Sequence, residues 1–531
     1  MTDTVAAPVA GDLSTDLDGD LERDLDRGPS IDRRVVAPAR LDRPQPRRLA
    51  PPGAASSRPR PGPRERLAVE ARRTAVVAPQ RTPAESPTPW ARLFATGWEL
   101  KFLLVGFPLW WVLGLSTFIF PIMAVPMAWE LRRRLPLRYP PFFWMWALYL
   151  LWQVISLTMF DSSPAGTHAT AAGGRITAIG ITFVEMAGIT VTLLYVGALT
   201  RAEVSQRDIA RWLGWFFLVV VAGGFLGVLA PHLQFRSALE YFLPAHLTKN
   251  PYIAALVHPI AAQVQDVLGE PTGRPSAPFG YTNSWGNTLG LLIAFFIAGW
   301  VLPSRSWRRV LAGSVVVLAF IPVLYSLNRG LWLGLIFTVL WFGGRQLVHG
   351  RVGVLAAMAA IVTVAAVVFV VTPAHTVVTS RLSNGKSNNI RSYVADQSLS
   401  AMKHSPIIGY GGARHTNGSY QSVAIGKTAN CDNCGDVATG STGQFWAIMF
   451  NQGIGGLVFY LGFFAAILWV YRRERSPVAE AALATIAASF VYILFYGTVP
   501  VSPTLVMIAV AVLWRTGNAG RDRSGVGVAA S

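Results

Sequence analysis

A chain of 531 residues that is 52% hydrophobic and only 14% charged, with a mean hydropathy of +0.40, is too apolar for an ordinary soluble protein. Its apolar runs recur at about 20 residues, the span of a bilayer core, and do not alternate, which excludes an outer-membrane β-barrel and specifies an all-α polytopic membrane protein. The net charge of +18 implies no nucleic-acid partner, because much of it lies in a tail and in short loops where membrane topology explains it.

Residues 1–89 contain no Phe, Trp or Tyr and are rich in Pro, Arg, Asp and Ala. Such a segment buries too little apolar surface to offset its ordering entropy, so a disordered cytoplasmic tail is expected. It has no apolar core near the N-terminus and is not a signal peptide. Twelve apolar segments follow within residues 90–515, near 102–116, 117–131, 141–159, 176–199, 209–229, 286–303, 310–327, 331–348, 352–372, 443–471, 479–498 and 501–514. The first two are short, and Pro121 and Pro126 are expected to tilt or break them; a fused pair leaves eleven spans. Residues 516–531 form a second tail.

Basic clusters at Arg132–Arg134, Arg201 to Arg211, Arg305 to Arg309, Arg345 to Arg351 and Arg472 to Arg475 fall in alternate short loops. The positive-inside rule makes those loops and both termini cytoplasmic in the twelve-span arrangement. Two long loops, 230–285 and 373–441, then face outward. The second carries Arg381, Lys386, Arg391, Lys403, Arg414 and Lys427 against Asp396, Asp432 and Asp436, with His375, His404 and His415. Topology does not explain that charge, and a basic chamber on one face suits an anionic substrate. Asn388 or Asn389 can begin a helix that runs to about His404, where Pro406 and the glycines of GYGG stop it. Cys431 and Cys434, the only cysteines, are too few for a structural zinc site and lack a redox-fold context, so an extracytoplasmic disulfide is the expected state.

Four patches occur in order: RPSAPFGYTNSWGNTLGLL from Arg274, YSLNRGLWLGL containing Asn328 and Arg329, IRSYVADQSLSAMKHSPIIGYG containing Arg391, and STGQFWAIMFNQGIGGLVFYLG. Over about residues 270–465 this series resembles the O-antigen ligase and O-antigen polymerase family, bacterial membrane glycosyltransferases of the C-type architecture. The resemblance implies a glycan donor on undecaprenyl pyrophosphate in the outer leaflet of the cell membrane. It implies transfer to the hydroxyl of a glycan or lipid acceptor in cell-surface polysaccharide synthesis, as polymerase or ligase, with no metal or cofactor. Fixed cations must then stabilise the charge that develops on the leaving pyrophosphate, and the planar guanidinium fork suits phosphate oxygens.

Arg329 lies between two apolar segments, where an unpaired charge costs about 2.5–3.5 kcal/mol at a helix centre. It reads as a pyrophosphate ligand or as a side chain snorkelling to the interface. Arg274 and Arg391 match family arginines and read as clamp residues or as ordinary surface arginines. Asn283 and Asn328 read as ligands of sugar or phosphate, or as helix caps. The chain departs from the family where its members often carry a His-Asn pair, since Thr442, Gly443 and Gln444 stand there. His415 is the candidate displaced base, against the reading of a solvated loop histidine. The alternative function is a twelve-span secondary transporter or lipid-linked oligosaccharide flippase. Neither a P-loop nor a repeat between the halves supports a transporter.

Overall fold

In the computed structural model the apolar runs of the sequence become helices, the element that satisfies every backbone N–H and C=O where a bilayer offers no partners. The structure describes residues 95–165, 167–169, 172–244, 248, 251–266, 271–371, 379, 386–416, 438–497 and 500–525. The expected disordered tail 1–89, His375, Arg381, Lys427, Asp432, Asp436 and the Cys431–Cys434 pair lie outside these residues.

The chain order begins with α1 (Trp98–Val105), α2 (Phe107–Val112), α3 (Ile119–Arg132), α4 (Phe143–Ser156), β1 (Thr167–His168), α5 (Ala172–Ala198) and α6 (Gln206–Leu229). It continues with α7 (Ala238–Phe242), α8 (Pro251–Val257), β2 (Ala262–Asp266), β3 (Pro271–Pro275), α9 (Thr282–Phe296), α10 (Ser306–Leu318), α11 (Phe320–Tyr325), α12 (Arg329–Val348) and α13 (Val352–Val371). The last elements are α14 (Lys386–Met402), β4 (His415–Thr416), α15 (Gln444–Tyr471), α16 (Pro477–Tyr492) and α17 (Val501–Gly525).

Among the described residues, 6 helical stretches are long and apolar enough to cross a membrane: Ala172–Ala198, Gln206–Leu229, Thr282–Val301, Ser306–Tyr325, Arg329–Val348 and Gln444–Tyr471. Phe143–Met159, Pro477–Tyr492 and Val501–Gly517 are shorter apolar helices. The region expected to supply the first two spans is broken into α1, α2 and α3, of 8, 6 and 14 residues, with Pro126 inside the last. None of the three reaches the roughly 20 residues that a full span needs. The helix expected to start at Asn388 or Asn389 is α14. Two short antiparallel strand pairs, β1 with β4 and β2 with β3, were not expected from the sequence. They satisfy backbone groups in loop segments whose side chains show no strand alternation.

α9 and α17 occupy the centre. Leu505 to Trp514 of α17 are all buried, as expected of a helix that is apolar on every face. Lipid tails remove most of the hydrophobic drive for helix pairing, so close approach of small residues carries the packing. Gly290 of α9 and Gly334 of α12 both lie against the side chain of Tyr492 from α16, and an added Cβ would sit 2.0 Å from its hydroxyl oxygen at Gly290 and 1.9 Å from its ring at Gly334. Those contacts bring α9, α12 and α16 together. At the far ends of α12 and α16, Gln346 donates to the buried Glu480 at 2.7 Å, and Arg345 donates to the carbonyls of Arg472 and Glu474.

Candidate active site

The starts of α9, α12 and α15 and the end of α16 meet at one end of the bundle. The β2–β3 pair sets Arg274 opposite Gln263. Gln263 accepts the Thr282 backbone N–H at 3.2 Å, and the Thr282 hydroxyl donates back to the Arg274 carbonyl at 3.2 Å. The hairpin is thus locked to the first turn of α9. Arg274 is buried, and its Nε donates to the Ser326 carbonyl at 2.7 Å. Ser326 belongs to the turn before α12, where Leu327 holds φ 52°. That left-handed conformation costs a non-glycine residue on the order of 1–3 kcal/mol. The Ser326 hydroxyl, which donates to Val323 and accepts from the Asn328 N–H, fixes the turn from both sides.

Asn328 is the hub. Its Oδ1 caps α12 by accepting the Leu331 N–H at 3.4 Å, and also accepts the Tyr496 hydroxyl at 2.8 Å. Its Nδ2 donates to Asn283 Oδ1 at 3.3 Å. The cap reading therefore holds for Asn328, whereas Asn283 lies in the first turn of α9 without capping it. Arg329 follows as the first residue of α12. Arg391, on α14, donates to the Phe495 carbonyl at 3.2 Å, one residue from Tyr496. The structure brings Arg274, Asn283, Asn328, Arg329 and Arg391 into one cluster around Tyr496.

Positive charge dominates the cluster. Burial pushes the Arg391 guanidinium down from its ordinary value; the neighbouring Tyr496 opposes this and the like charge of Arg329 adds to it. Burial pushes the Tyr496 hydroxyl far up, only partly offset by Arg391 and Arg274, so it stays a neutral donor. Neither Arg329 nor Arg391 has a salt-bridge partner among the described residues. Arg329 also stands at the positive end of the α12 dipole, where a cation is disfavoured and an anion favoured.

Tyr496 is the residue that sequence reasoning missed. It reads as the end of an apolar segment, and its only signal is a Tyr-Gly turn between two such segments. Its carbonyl accepts the Gln444 N–H at 2.7 Å, tying the cluster to the start of α15. Beneath it, Asn287, Gln444 and Tyr492 share the lining of a cavity of about 40 Å³ with the apolar Leu291, Ile493 and Val506, room for a few water molecules. Tyr496→Phe is expected to cost about 0.6–1 kcal/mol of stability, the size of a neutral hydrogen bond inside a membrane protein. Loss of Asn328 alignment is expected to lower activity on the order of tenfold or more. Thermal unfolding and turnover measured on one preparation separate the two effects.

His415 lies elsewhere. It is on β4, opposite His168 of β1, and lines a second cavity with Arg175, Arg414, Asn451 and Gln452. Arg414 is fully buried and donates to the carbonyls of Phe160 at 2.7 Å, Ser162 at 2.8 Å and Gly412 at 2.9 Å. Its charge rivets loop to loop. Burial pushes its guanidinium down, and nearby Arg175 adds to this. At the start of α15, Thr442 Oγ1 is buried with no hydrogen-bond partner among the described residues, where the family resemblance leads one to expect a histidine.

Residues 314–430 match the family model described as O-antigen ligase. Over that segment the chain is similar to O-antigen ligases. The segment contains Asn328, Arg329, Arg391 and His415, while Arg274 and Asn283 join it through the contacts described above. The O-antigen ligase match supports glycan transfer in a multi-pass membrane protein and does not favour transport. No curated protein matches the chain.

Proposed function

We propose that the protein is an extracytoplasmic glycan polymerase or ligase of the cell membrane, and that its donor is a glycan on undecaprenyl pyrophosphate. The convergence of Arg274, Arg329 and Arg391 around the Asn328–Tyr496 hydrogen bond carries this reading. In the proposed reaction an acceptor hydroxyl attacks the anomeric carbon of the donor. The bond from that carbon to the pyrophosphate oxygen breaks, undecaprenyl pyrophosphate leaves with the electron pair, and the hydroxyl proton passes to solvent or to a base. The arginines stabilise the negative charge that grows on the leaving oxygen, and preorganised donors of this kind are worth most where water is excluded. Asn283 and Asn328 orient the donor, and α14 carries Arg391 into the site from the long loop 373–441. His415 is a base only for an acceptor that enters from the second cavity.

The test uses the full chain in nanodiscs with a lipid-pyrophosphate glycan isolated from the host cell. Release of undecaprenyl pyrophosphate in step with a new glycosidic bond, without ATP or added divalent metal, is the expected result. Movement of intact lipid across the bilayer with no new bond would overturn the proposal in favour of a flippase.

A further inference from the structure

Another basic site lies at the opposite end of the bundle from the arginine cluster. α9 starts in that cluster at Thr282, and the stretch Thr282–Val301 is long enough to cross a membrane. It ends in a turn of π-helix, Ile297–Val301, beside the starts of α6 and α10. A cavity of about 1020 Å³ opens there. The cavity and the arginine cluster therefore belong to opposite leaflets.

Two walls of this cavity share one order of chemistry. On α6, Arg207 and Arg211 stand at the mouth and Leu218 lies deeper, about 16 Å beyond Arg207 along the helix. On the other wall, Arg305 and Arg308 stand at the mouth, and Leu311 and Val315 of α10 follow inward. Phe296 and Trp300 complete the apolar part. Trp300 Nε1 donates to the Arg211 carbonyl at 3.0 Å, and Gly299 packs on the Ala210 backbone, which fixes α9 to α6. α10 stands away from both: among the described residues only Ala312 of this helix is buried. The space is a wedge that opens toward lipid.

Topology alone does not account for these arginines. A helix N-terminus disfavours a cation and favours an anion. Arg207 is in the first turn of α6, Arg305 immediately precedes α10, and Arg308 is in the first turn of α10, which holds no acidic residue. Four like charges around one space also repel one another. Arg211 reaches Asp208 at 3.9 Å, but both side chains are half exposed and such a pair is worth little. Among the described residues no carboxylate lines the cavity. Arg309 is engaged differently, since it donates to the carbonyls of Leu302 and Ser304 at 3.2 Å and 3.1 Å and closes the end of α9. An anion between Arg207, Arg211, Arg305 and Arg308 offsets both the dipoles and the repulsion.

The apolar half selects among anions. A free phosphate would occupy the mouth and leave the inner wedge without an occupant. A phospholipid fills both, with its phosphate at the guanidinium forks and an acyl chain along Leu218, Leu311 and Val315. A zwitterionic headgroup brings an ammonium for which the cavity has no carboxylate. We infer that this cavity binds an anionic phospholipid, as basic pockets between membrane helices do. The inference does not depend on the proposed transferase function. With the transfer site outside, as proposed, the lipid belongs to the cytoplasmic leaflet, whose surface is negative.

The test titrates phosphatidylglycerol into the full chain purified in a neutral detergent. Binding is read by native mass spectrometry, and Tm is measured on the same samples. Phosphatidylglycerol is expected to bind about tenfold more tightly than phosphatidylcholine with the same chains, and to raise Tm more. Arg207→Gln combined with Arg305→Gln is expected to weaken that binding about 25-fold, at about fivefold per arginine. Its Tm without lipid is expected to be unchanged or raised, because like charges are removed. Arg132→Gln combined with Arg138→Gln removes the same charge from exposed residues outside the cavity, and is expected to stay within about twofold of the wild type. Val315→Trp keeps every charge and narrows the apolar part, and is expected to weaken binding about fivefold. Equal affinity of the wild type for the two lipids would overturn the site, and so would equal losses in the two double variants. Glycerol phosphate that matched phosphatidylglycerol at equal concentration would make the occupant a soluble phosphate and overturn the lipid assignment. Unchanged affinity in Val315→Trp would overturn the seating of an acyl chain in the wedge.

Discussion

Arg391→Ala is expected to lower glycan transfer by about 10²–10³-fold, the usual loss when one preorganised donor to a developing oxyanion is removed. The side chain is held in place by the Phe495 carbonyl and has no carboxylate partner among the described residues. Its burial beside Arg329 disfavours the charged form, so the protein without substrate gains little from this arginine. Removing it is therefore expected to leave Tm unchanged or slightly raised while turnover falls. A residue kept for stability would show the opposite pattern. Arg391→Lys retains a charge but loses the planar fork, and an intermediate rate is expected. Single-turnover transfer from a lipid-pyrophosphate glycan, measured with Tm on each variant, checks the pair. Wild-type turnover in Arg391→Ala would leave the cluster without its proposed role.

Gly453→Ala is expected to be severely destabilising, by at least about 3–5 kcal/mol. The residue has φ 64° and ψ −162°, a combination open essentially to glycine alone. A Cβ added there would lie 2.5 Å from the Ile407 carbonyl oxygen and 2.7 Å from that of Pro406. The break it allows is stitched by Tyr410 N–H to the Phe450 carbonyl at 3.0 Å, Gly411 N–H to Asn451 at 2.8 Å and Ile454 N–H to Pro406 at 2.8 Å. Trp152 Nε1 adds a bond to the Gln452 carbonyl at 2.9 Å. Backbone strain of on the order of 1–3 kcal/mol, plus several hydrogen bonds at about 0.5–1.5 kcal/mol each, exceeds what most single substitutions do. Gly313→Ala is the control, since a Cβ there meets nothing within 4 Å and the residue is helical. Membrane yield, thermal unfolding and protease sensitivity near residue 410 should separate the two variants. Equal stability would mean that the break in α15 is not required.

The two variants also show where sequence reading reached and where it stopped. Arg391 stands out in the sequence because it leads a patch that resembles the family's, inside a long loop whose charge topology does not explain. Gly453 does not, because one glycine in an apolar run reads as part of a Gly-x-x-Gly helix. Pro406 and GYGG were legible as a helix stop, yet nothing local says that this segment fills a gap in a helix some forty residues later. Tyr496 was hidden for the same reason: a tyrosine at the end of an apolar run looks like core until its hydroxyl is seen on Asn328. Arg414 counted as one more loop cation, and only its carbonyl partners show it as a rivet.

The sequence alone determined the membrane class and singled out five polar residues that the fold brings together. These depend on composition, hydropathy and short motifs, which are local properties of the chain. Tertiary structure decided which of those residues meet, that His415 faces a different cavity from Arg391, and that α15 is broken at Gly453. Those outcomes depend on hydrogen bonds between segments far apart in sequence, such as Arg274 to Ser326, Tyr496 to Asn328 and Tyr410 to Phe450. Each partner has several plausible mates in the unfolded chain, and only the packing of α9, α12, α15 and α16 selects one.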